Sequence, residues 1–424
     1  VEPFLIDAAT HGGMAPGALV LMAGGLAMFW AAAGKLAAWI GGNRAIAFAV
    51  TLALFETARG YVLTGFPWAL PAYIWTDAAL MPVSASVGPY GLTAVTLVLA
   101  ALPVSAASPR ASVFPAGIAV AVICALFVYA NWHAAEDLVG GGETIRIVQP
   151  NVPQNEKWDR DKAPGQLNRL MTSTGAGEAP ALVVWPESAV AYPLDLAGPI
   201  LTRAAEEARG AQVVTGINRR TPEGAWFTAA VASNAAGQLT EGYDKIHLVP
   251  FGEYIPGRID LLRRMAAFTG FGFTPGDGVR AMNTAAGDAL LLICYEAIFP
   301  RHAAALDAQP DYILQITNDA WFGRFAGPYQ HLQQAQIRAV EMGVPLVRAA
   351  NTGVSALIDP YGKVLAKMDL GEEGFLDVTL PGRRAPTLYA ATGDRPVGFG
   401  LLVALLGIAA FGRASTIAKR TSVE

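Results

Sequence analysis

The chain has 424 residues, of which 53% are hydrophobic and only 15% charged, and its formal net charge is −4. Soluble proteins usually carry about a quarter charged residues, so this composition suggests a membrane region beside a soluble one. The lack of a basic block argues against nucleic acid as a partner. The charge deficit lies at the start of the chain. We therefore predict transmembrane helices over residues 1–135 (about four spans), a soluble domain over 136–394, and a last transmembrane helix with a cytoplasmic tail over 395–424.

Membrane spans are the first predicted elements. A helix that crosses a bilayer needs roughly 20 mostly apolar residues. Runs of about that length lie at Pro16–Gly34, Arg44–Val62, Val87–Ala107, Ser112–Asn131 and Pro396–Phe411. The segment Phe66–Ser86 is apolar but is interrupted by prolines and Asp77, which favours an interfacial or re-entrant stretch.

Two charged residues, Glu56 and Arg59, lie inside the second apolar run. Their spacing places them on one face of a helix. Charges in lipid are costly and are often functional. The simpler interpretation, which we adopt, is a structural pair that faces other helices near the membrane interface.

Lysines and arginines in the short connections predict the orientation, because such residues concentrate on the cytoplasmic side of a membrane. If the five runs cross the membrane one after another, three basic groups fall on the same side of it. They are Lys35 with Arg44, Arg110, and Arg413 with Lys419 and Arg420. Residues 132–395 are then expected on the opposite side, outside the cytoplasm.

Short apolar strands and amphipathic helices alternate over residues 144–382. Buried strands are predicted at Thr144–Gln149, Ala181–Trp185, Gln212–Gly216, Ala289–Cys294, Tyr312–Thr317 and Pro345–Arg348. Helices are predicted at Ile200–Arg209 and Tyr329–Met342, and a hairpin at Ala356–Leu365. This order predicts a layered α/β domain. The glycine-rich segment Gly270–Gly278 lacks the spacing of a phosphate-binding loop and is expected to be flexible.

The first segment with candidate chemistry is ALVVWPES, Ala181–Ser188. A buried strand delivers Glu187 at its C-terminal end, which is where ligands collect in α/β sheets. A carboxylate in that place can act as a general base or acid. A solvated glutamate in a loop is the alternative that this segment alone leaves open.

The second segment is YDKIHLVPFGEY, Tyr243–Tyr254. A lysine such as Lys245 can stabilise a developing oxyanion near a reacting carbonyl. Glu253 could keep that lysine charged and aimed. A surface loop with scattered charges is the alternative.

The third segment is LLLICYEAIFP, Leu290–Pro300, in which a very apolar strand ends at Cys294 and polar residues follow at once. A nucleophile on a strand-to-helix turn is exposed and has backbone N–H groups nearby for an oxyanion. A neighbouring base would generate the thiolate. A free cysteine in such a strand can also be a small buried hydrophobe.

Other kinds of site have little support in the sequence. None of the five histidines is spaced as a metal ligand from a cysteine or another histidine: His11, His133, His247, His302 and His331. We expect neither a metal nor another cofactor. No G-x-S-x-G motif is present, which argues against a serine triad, and the two cysteines, Cys124 and Cys294, do not suggest a disulfide.

In this order, the strand-Glu, Lys-loop and strand-Cys segments closely resemble the nitrilase superfamily, whose Glu–Lys–Cys triad lies on an αββα sandwich. The resemblance narrows to the apolipoprotein N-acyltransferase branch. The similar segments are YDKIHLVPFGEYIP, LLICYEAIFP, QITNDAWFG, RAANTGVSALIDPYGKV, QPNVPQNEKWD and TGFPWALPAY. The resemblance implies an α-helical transmembrane bundle plus a nitrilase-like αββα sandwich domain.

The resemblance also implies roles for individual residues. Glu187 would be the general base, Lys245 the oxyanion stabiliser and Cys294 the nucleophile. Four further positions match residues that the family needs for activity: Glu253, Tyr295, Glu296 and Trp158. The usual layout of eight spans implies that three N-terminal spans are missing before Val1. Residues Val1–Thr10 show no signal-peptide pattern.

The expected function is transfer of a fatty acyl chain from a membrane phospholipid to the N-terminal diacylglyceryl-cysteine of a lipoprotein, through a thioester on Cys294. By the same resemblance, the enzyme is expected to be a monomer in the bacterial inner membrane, with its catalytic domain in the periplasm. The apolar loops Phe268–Phe273 and Ala320–Phe325 favour access of lipid. The alternatives are a membrane-tethered amidase or nitrilase that hydrolyses a C–N bond, and a scaffold protein without chemistry.

Overall fold

Helices form at all five runs predicted to span a membrane. The computed structural model describes residues 12–106, 108, 110–133, 138–254 and 272–421. The first four helices are α1 (Ala15–Ile40), α2 (Arg44–Arg59), α3 (Ser84–Val104) and α4 (Val113–His133). Helices α2, α3 and α4 lie close to the predicted bounds, whereas α1 continues to Ile40, past the predicted end at Gly34.

Only some of these helices have the dimensions of a membrane span. Among the described residues, two helical stretches are long and apolar enough to cross a membrane, Ala15–Ile40 and Met81–Val104. The apolar parts of two further helices are shorter, at Val113–Tyr129 and Arg395–Ala410. The count of five spans therefore stays a prediction, as do the domain boundaries.

Helix α2 carries the charged pair that the sequence indicated. Arg59 forms a buried ion pair with Glu56, and the indole N–H of Trp30 donates to Glu56 Oε1 at 2.7 Å. The Arg59 guanidinium also donates to the carbonyls of Phe66 and Trp68, the latter at 3.1 Å. Both charges are thus paired and hydrogen-bonded inside the protein, as a structural pair requires.

Two six-stranded sheets form the centre of the molecule. The first sheet has the order β12-β1-β2-β3-β4-β5 and the second sheet the order β11-β10-β9-β8-β7-β6. The strands of the first sheet are β1 (Thr144–Gln149), β2 (Leu182–Val184), β3 (Gln212–Arg220), β4 (Trp226–Ser233), β5 (Leu239–Asp244) and β12 (Gly374–Thr379). Those of the second sheet are β6 (Ala281–Thr284), β7 (Gly287–Ile293), β8 (Tyr312–Thr317), β9 (Leu346–Ala350), β10 (Ser355–Ile358) and β11 (Val364–Met368).

The sheets pack face to face because the inner side of each is apolar, and the central strands are apolar on both sides. In β7, Leu291 and Ile293 point into the core between the sheets. Leu290 and Leu292 point the other way, toward the outer helix layer. This alternation follows from the two-residue period of a strand.

Helices cover the outer face of each sheet. The helices of this region and of the C-terminus are α5 (Ala163–Gly175), α6 (Gly198–Ala208), α7 (Pro300–Ala303), α8 (Gly327–Met342), α9 (Leu388–Thr392) and α10 (Arg395–Thr421). Helices α5 and α6 pack on the first sheet, and α8 packs on the second. The predicted αββα sandwich is therefore confirmed.

The segment Phe66–Ser86 runs from the end of α2 into the start of α3 and packs on the sandwich. It contains two short 3-10 turns, Pro71–Trp75 and Met81–Val83. Its apolar side chains pack against Ile337 and Val340 of α8. The prolines that argued against a clean span thus shape an irregular segment that joins the two parts of the molecule.

Candidate active site

The predicted site residues follow strands that end at the same edge of the sandwich. In the first sheet β1, β2 and β3 run parallel, and in the second β7, β8 and β9 do. Glu187 comes three residues after β2, Lys245 comes directly after β5, and Cys294 directly after β7. Carboxyl ends of parallel strands gather at one edge, which is where α/β proteins place their ligands.

Lys245 lies at the centre of the charged groups. Its Nζ donates to Glu253 Oε1 at 2.8 Å and to Glu187 Oε1 at 3.2 Å. Its side chain is fully buried. Burial alone would lower the pKa of Lys245, but the carboxylates of Glu187 and Glu253 outweigh it and the pKa lies well above its usual value. The lysine is therefore a fixed positive charge.

Glu187 is held by Lys245, Asn318 and Lys157. Its Oε2 accepts the backbone N–H of Asn318 at 2.9 Å, and its backbone carbonyl accepts from Lys157 Nζ at 2.9 Å. The approach of this segment to β3 requires a glycine at position 216, because a Cβ there would lie 2.2 Å from the carbonyl oxygen of Pro186. The carboxylate is thus aimed by contacts from both sheets.

Cys294 does not continue β7, contrary to the prediction of a strand over Ala289–Cys294. The strand ends at Ile293, and Cys294 begins a 3-10 turn with φ of 50°. A left-handed conformation is unusual for a residue other than glycine and often marks a functional site. Burial, followed by the negative charge of Glu187, raises the pKa of the Cys294 thiol, whereas Lys245 opposes the rise.

Glu296 ties this turn to the lysine loop. Its Oε2 accepts the N–H of Ile293 at 2.7 Å, and its Oε1 accepts those of Ile246 at 2.6 Å and His247 at 3.2 Å. The hydroxyl of Tyr243 donates to Oε1 at 3.1 Å. Burial raises the pKa of Glu296 to about 7, against these backbone donors, which lower it. The carboxyl group therefore clamps two segments that the sequence had only placed in order.

Tyr295 belongs to an aromatic cluster to which the segment Phe66–Ser86 also contributes. Its hydroxyl donates to the carbonyl of Gly65 at 3.3 Å. Its ring packs with Phe299, and Phe66 and Trp68 pack against the same cluster. Residues that come before the sandwich in the chain therefore line the surroundings of Cys294.

The structure brings together Glu187, Lys245, Glu253 and Cys294, with Tyr295 and Glu296 beside them. Trp158 is different, because half of its surface is exposed and its neighbour Lys157 is the residue that reaches Glu187.

The loop Phe268–Phe273 and the segment Gly270–Gly278 lie partly outside the described residues. In Ala320–Phe325, the side chain of Phe325 is 83% exposed.

The sequence did not predict two residues that contact Glu187, Lys157 and Asn318. Lys157 is buried, and burial lowers its pKa to about 8 while Glu187 opposes the shift. Asn318 follows β8 at the same edge as the other site residues, and a search for polar residues after every buried strand would have found it. Lys157 offers no such signal, because it lies in a loop among other charged residues.

The fold also pairs two histidines that are distant in sequence. His247 Nδ1 lies 2.9 Å from His302 Nε2, and the His247 ring stacks on Phe299. Burial, followed by nearby Arg301, lowers the pKa of His247 to about 4. Within the described ranges, no three or more His, Cys, Asp or Glu residues come together as a metal site would need.

Two parts of the chain match known protein families. Residues 144–387 match the carbon-nitrogen hydrolase family, and residues 3–102 match the apolipoprotein N-acyltransferase N-terminal domain.

Curated relatives match most of the chain. An apolipoprotein N-acyltransferase of Rhodopseudomonas palustris is 37% identical, and the match covers 95% of this chain and 80% of the relative. One of Caulobacter vibrioides is 36% identical, with 96% and 81% covered. A solved amidase from Nesterenkonia is 19% identical over 62% of this chain and 98% of its own, with a TM-score of 0.44.

Proposed function

Since the chain belongs to the apolipoprotein N-acyltransferase family and is an acyltransferase, we propose that Cys294 carries the transferred acyl group as a thioester. The donor is a membrane phospholipid, and the acceptor is the α-amino group of an N-terminal diacylglyceryl-cysteine on a lipoprotein. Glu187 is the general base and Lys245 the oxyanion stabiliser.

In the first half-reaction, Glu187 takes the proton of the Cys294 thiol, and the sulfur attacks the ester carbonyl of the phospholipid. The oxyanion that forms is held by Lys245 and by backbone N–H groups near Tyr295. The C–O bond then breaks, and the departing lysophospholipid oxygen receives the proton from Glu187. The product is a thioester between the acyl chain and Cys294.

In the second half-reaction, the lipoprotein amine attacks the thioester carbonyl and forms the amide bond. Glu187 accepts a proton from the nitrogen. The C–S bond breaks, and Glu187 returns the proton to the sulfur. Two half-reactions that share a covalent intermediate predict ping-pong kinetics.

The observation that carries this proposal is the position of Lys245 between two carboxylates, 3.2 Å from Glu187 Oε1 and 2.8 Å from Glu253 Oε1. The thiol of Cys294 interacts with the charges of both Glu187 and Lys245. A base, a fixed cation and a thiol on a strained turn are the groups that acyl transfer through a thioester needs. The exposed ring of Phe325 supports access of lipid.

Mass spectrometry of the intact protein, incubated with phospholipid vesicles and no acceptor, tests the proposal. We expect a mass gain of one acyl chain on Cys294, and its loss when a diacylglyceryl lipopeptide is added. Release of free fatty acid without transfer to the lipopeptide would favour the amidase-like alternative, in which water attacks the intermediate. Absence of an adduct together with normal transfer would exclude the thioester.

We further propose that the sandwich lies outside the cytoplasm, in the periplasm where the host has two membranes. The basic groups around Lys35 and Arg110 and after residue 412 support this orientation. A membrane-impermeant lysine reagent added to intact spheroplasts should label Lys162, which is half-exposed on the sandwich, and should leave Lys419 unlabelled. Labelling of Lys419 alone would reverse the orientation.

A further inference from the structure

We propose that His331 is a positioning residue that holds the turn of Cys294 in its reactive conformation. His331 Nε2 lies 3.1 Å from the backbone carbonyl oxygen of Cys294. A carbonyl only accepts hydrogen bonds, so Nε2 carries the hydrogen and donates it toward this oxygen. The side-chain amide of Gln315 lies 3.2 Å from the same nitrogen. The inference rests on the proposed role of Cys294 as the nucleophile.

The imidazole ring is itself fixed by charged groups. Its Nδ1 lies 2.9 Å from Asp319 Oδ1 and 3.3 Å from Arg348 Nη2. Asp319 forms an ion pair with Arg348 and accepts from the hydroxyl of Thr317 at 2.9 Å. These four side chains are fully buried, which makes their geometry rigid and leaves the ring no alternative partner in water.

The turn needs such a support, because Cys294 has a positive φ of 50°. A residue with a Cβ keeps this conformation only where its surroundings enforce it. Glu296 fixes the peptide on the N-terminal side of the turn by accepting the N–H of Ile293. His331 fixes the carbonyl of Cys294, so the two contacts together set the direction in which the sulfur points.

The same group of residues also reaches the proposed base. Asn318 lies between Thr317 and Asp319 in the chain, and its backbone N–H donates to Glu187 Oε2 at 2.9 Å. A single buried network therefore fixes the nucleophile through His331 and the base through Asn318. Its loss is expected to change the distance between them, which costs rate rather than affinity for the lipid.

The segment Phe66–Ser86 closes this network from the other side through Trp68. The ring of Trp68 lies 5.9 Å from the His331 ring, and its indole N–H donates to Gln330 at 2.7 Å. Phe322 packs against a further edge of the imidazole. His331 is thus enclosed by apolar rings on the sides where it makes no hydrogen bond.

Three variants on α8 test the proposal. His331→Leu removes the donor, and His331→Gln restores one at a similar distance from the backbone. Gln336→Leu is the matched control, because Gln336 is also buried on α8 but donates to Asp77 and to the carbonyl of Gly362, away from Cys294. Should His331→Leu fail to fold, His331→Asn, whose amide is too short to reach the carbonyl, takes its place.

The rate of Cys294 acylation at saturating phospholipid is measured for each variant, with the half-saturating concentration and the thermal midpoint. We expect His331→Leu to lower the maximal rate by about 10²-fold, as a misplaced reacting group does, with an unchanged half-saturating concentration. His331→Gln should recover part of the rate, and Gln336→Leu should lower stability without lowering the rate. A folded His331→Leu with the normal rate, or an equal loss in Gln336→Leu, overturns the proposal.

Alkylation of Cys294 by iodoacetamide separates this outcome from a failure of the proposed function. If the wild-type protein never forms an acyl adduct, the thioester proposal fails. The alkylation rate still reports the conformation of the turn, and a changed rate in His331→Leu but not in Gln336→Leu supports the positioning role. Equal alkylation rates in the wild type, His331→Leu and Gln336→Leu overturn it.

Discussion

The two sheets of the sandwich contribute different kinds of group to the site. The first sheet supplies charge, with Glu187 after β2 and Lys245 after β5, joined by an ion pair with a 3.2 Å contact. The second sheet supplies geometry, with Cys294 at a positive φ and Glu296 clamping the backbone around it. The first sheet alone would lack the thiol, and the second alone would lack the base and the cation.

The difference shows why the site is assembled at the edge where both sheets end. A fixed ion pair and a strained turn can each be stabilised within its own sheet. Bringing them into contact requires the face-to-face packing of the sandwich. Substitutions in the first sheet are therefore expected to change protonation and charge, whereas those in the second are expected to remove or misdirect the sulfur.

The largest effect is expected in the second sheet, from Cys294→Ala. This change removes the only sulfur placed next to Glu187 and Lys245 within the described part of the chain, so acyl adduct formation and transfer should be abolished. Alanine replaces cysteine with little change of shape, and the thermal midpoint should stay the same. Cys124→Ala is the control, since Cys124 is an exposed thiol. An active Cys294→Ala variant would remove the second sheet from the chemistry.

Glu187→Gln in the first sheet should slow thioester formation by roughly 10²–10⁴-fold, the usual contribution of a general base. This substitution has two opposite effects on the rate of Cys294 alkylation. Loss of a base slows alkylation, whereas loss of a negative charge that raises the thiol pKa accelerates it. We expect slower alkylation, because proton removal from a buried thiol needs an acceptor.

Glu156→Gln provides the control for that experiment, since Glu156 forms a partly exposed ion pair with Lys162. It should leave both rates unchanged. Faster alkylation in Glu187→Gln than in the wild type would show that Glu187 acts through its charge and not as the base.

Lys245→Met should lower the rate of thioester formation by about 10²–10³-fold, as loss of an oxyanion donor does. It also leaves Glu187 and Glu253 without their shared cation and removes a charge that lowers the thiol pKa. The acylation rate at saturating phospholipid measures the effect. Lys367→Met is the control, because Lys367 forms an exposed ion pair on β11 of the second sheet. Its acylation rate should equal that of the wild type. A similar loss of rate in Lys245→Met and Lys367→Met would contradict the proposed role of Lys245.

The smallest effect concerns Lys157 and appears in stability. Because burial lowers its pKa from 10.5 to about 8, the folded protein releases this proton between those values while the unfolded chain keeps it. Stability rises with pH wherever the unfolded state binds more protons. The wild type should therefore gain stability from pH 8 toward 10.5, and below pH 8 this contribution is constant.

In Lys157→Met that gain should disappear. Unfolding midpoints at pH 7.5 and 9.5 measure it, and Lys162→Met, a half-exposed lysine five residues on, is the control that should keep the wild-type slope. An equal rise in Lys157→Met would mean that Lys157 keeps its proton in the folded protein.

The sequence patterns predicted a layered α/β domain and the three segments of the candidate site, and the resemblance to the nitrilase superfamily predicted the sandwich. A buried strand that ends in a polar residue is a local pattern, and it is readable at Glu187 and Cys294 because the apolar run and its end are neighbours in the chain. The helices follow in the same way from their apolar runs. The pairing of Glu56 with Arg59 was also predictable, since the residues are three apart on one helix.

The tertiary structure decided the contacts that make those segments a site. Asn318 and Glu187 are 131 positions apart, and His331 and Cys294 are 37 apart. Burial, hydrogen bonding and the pKa of a group depend on such distant partners, and no local pattern reports them. The positive φ of Cys294, the exposure of Trp158 and the burial of Lys157 all depend on how distant segments pack together, which is why the sequence did not predict them.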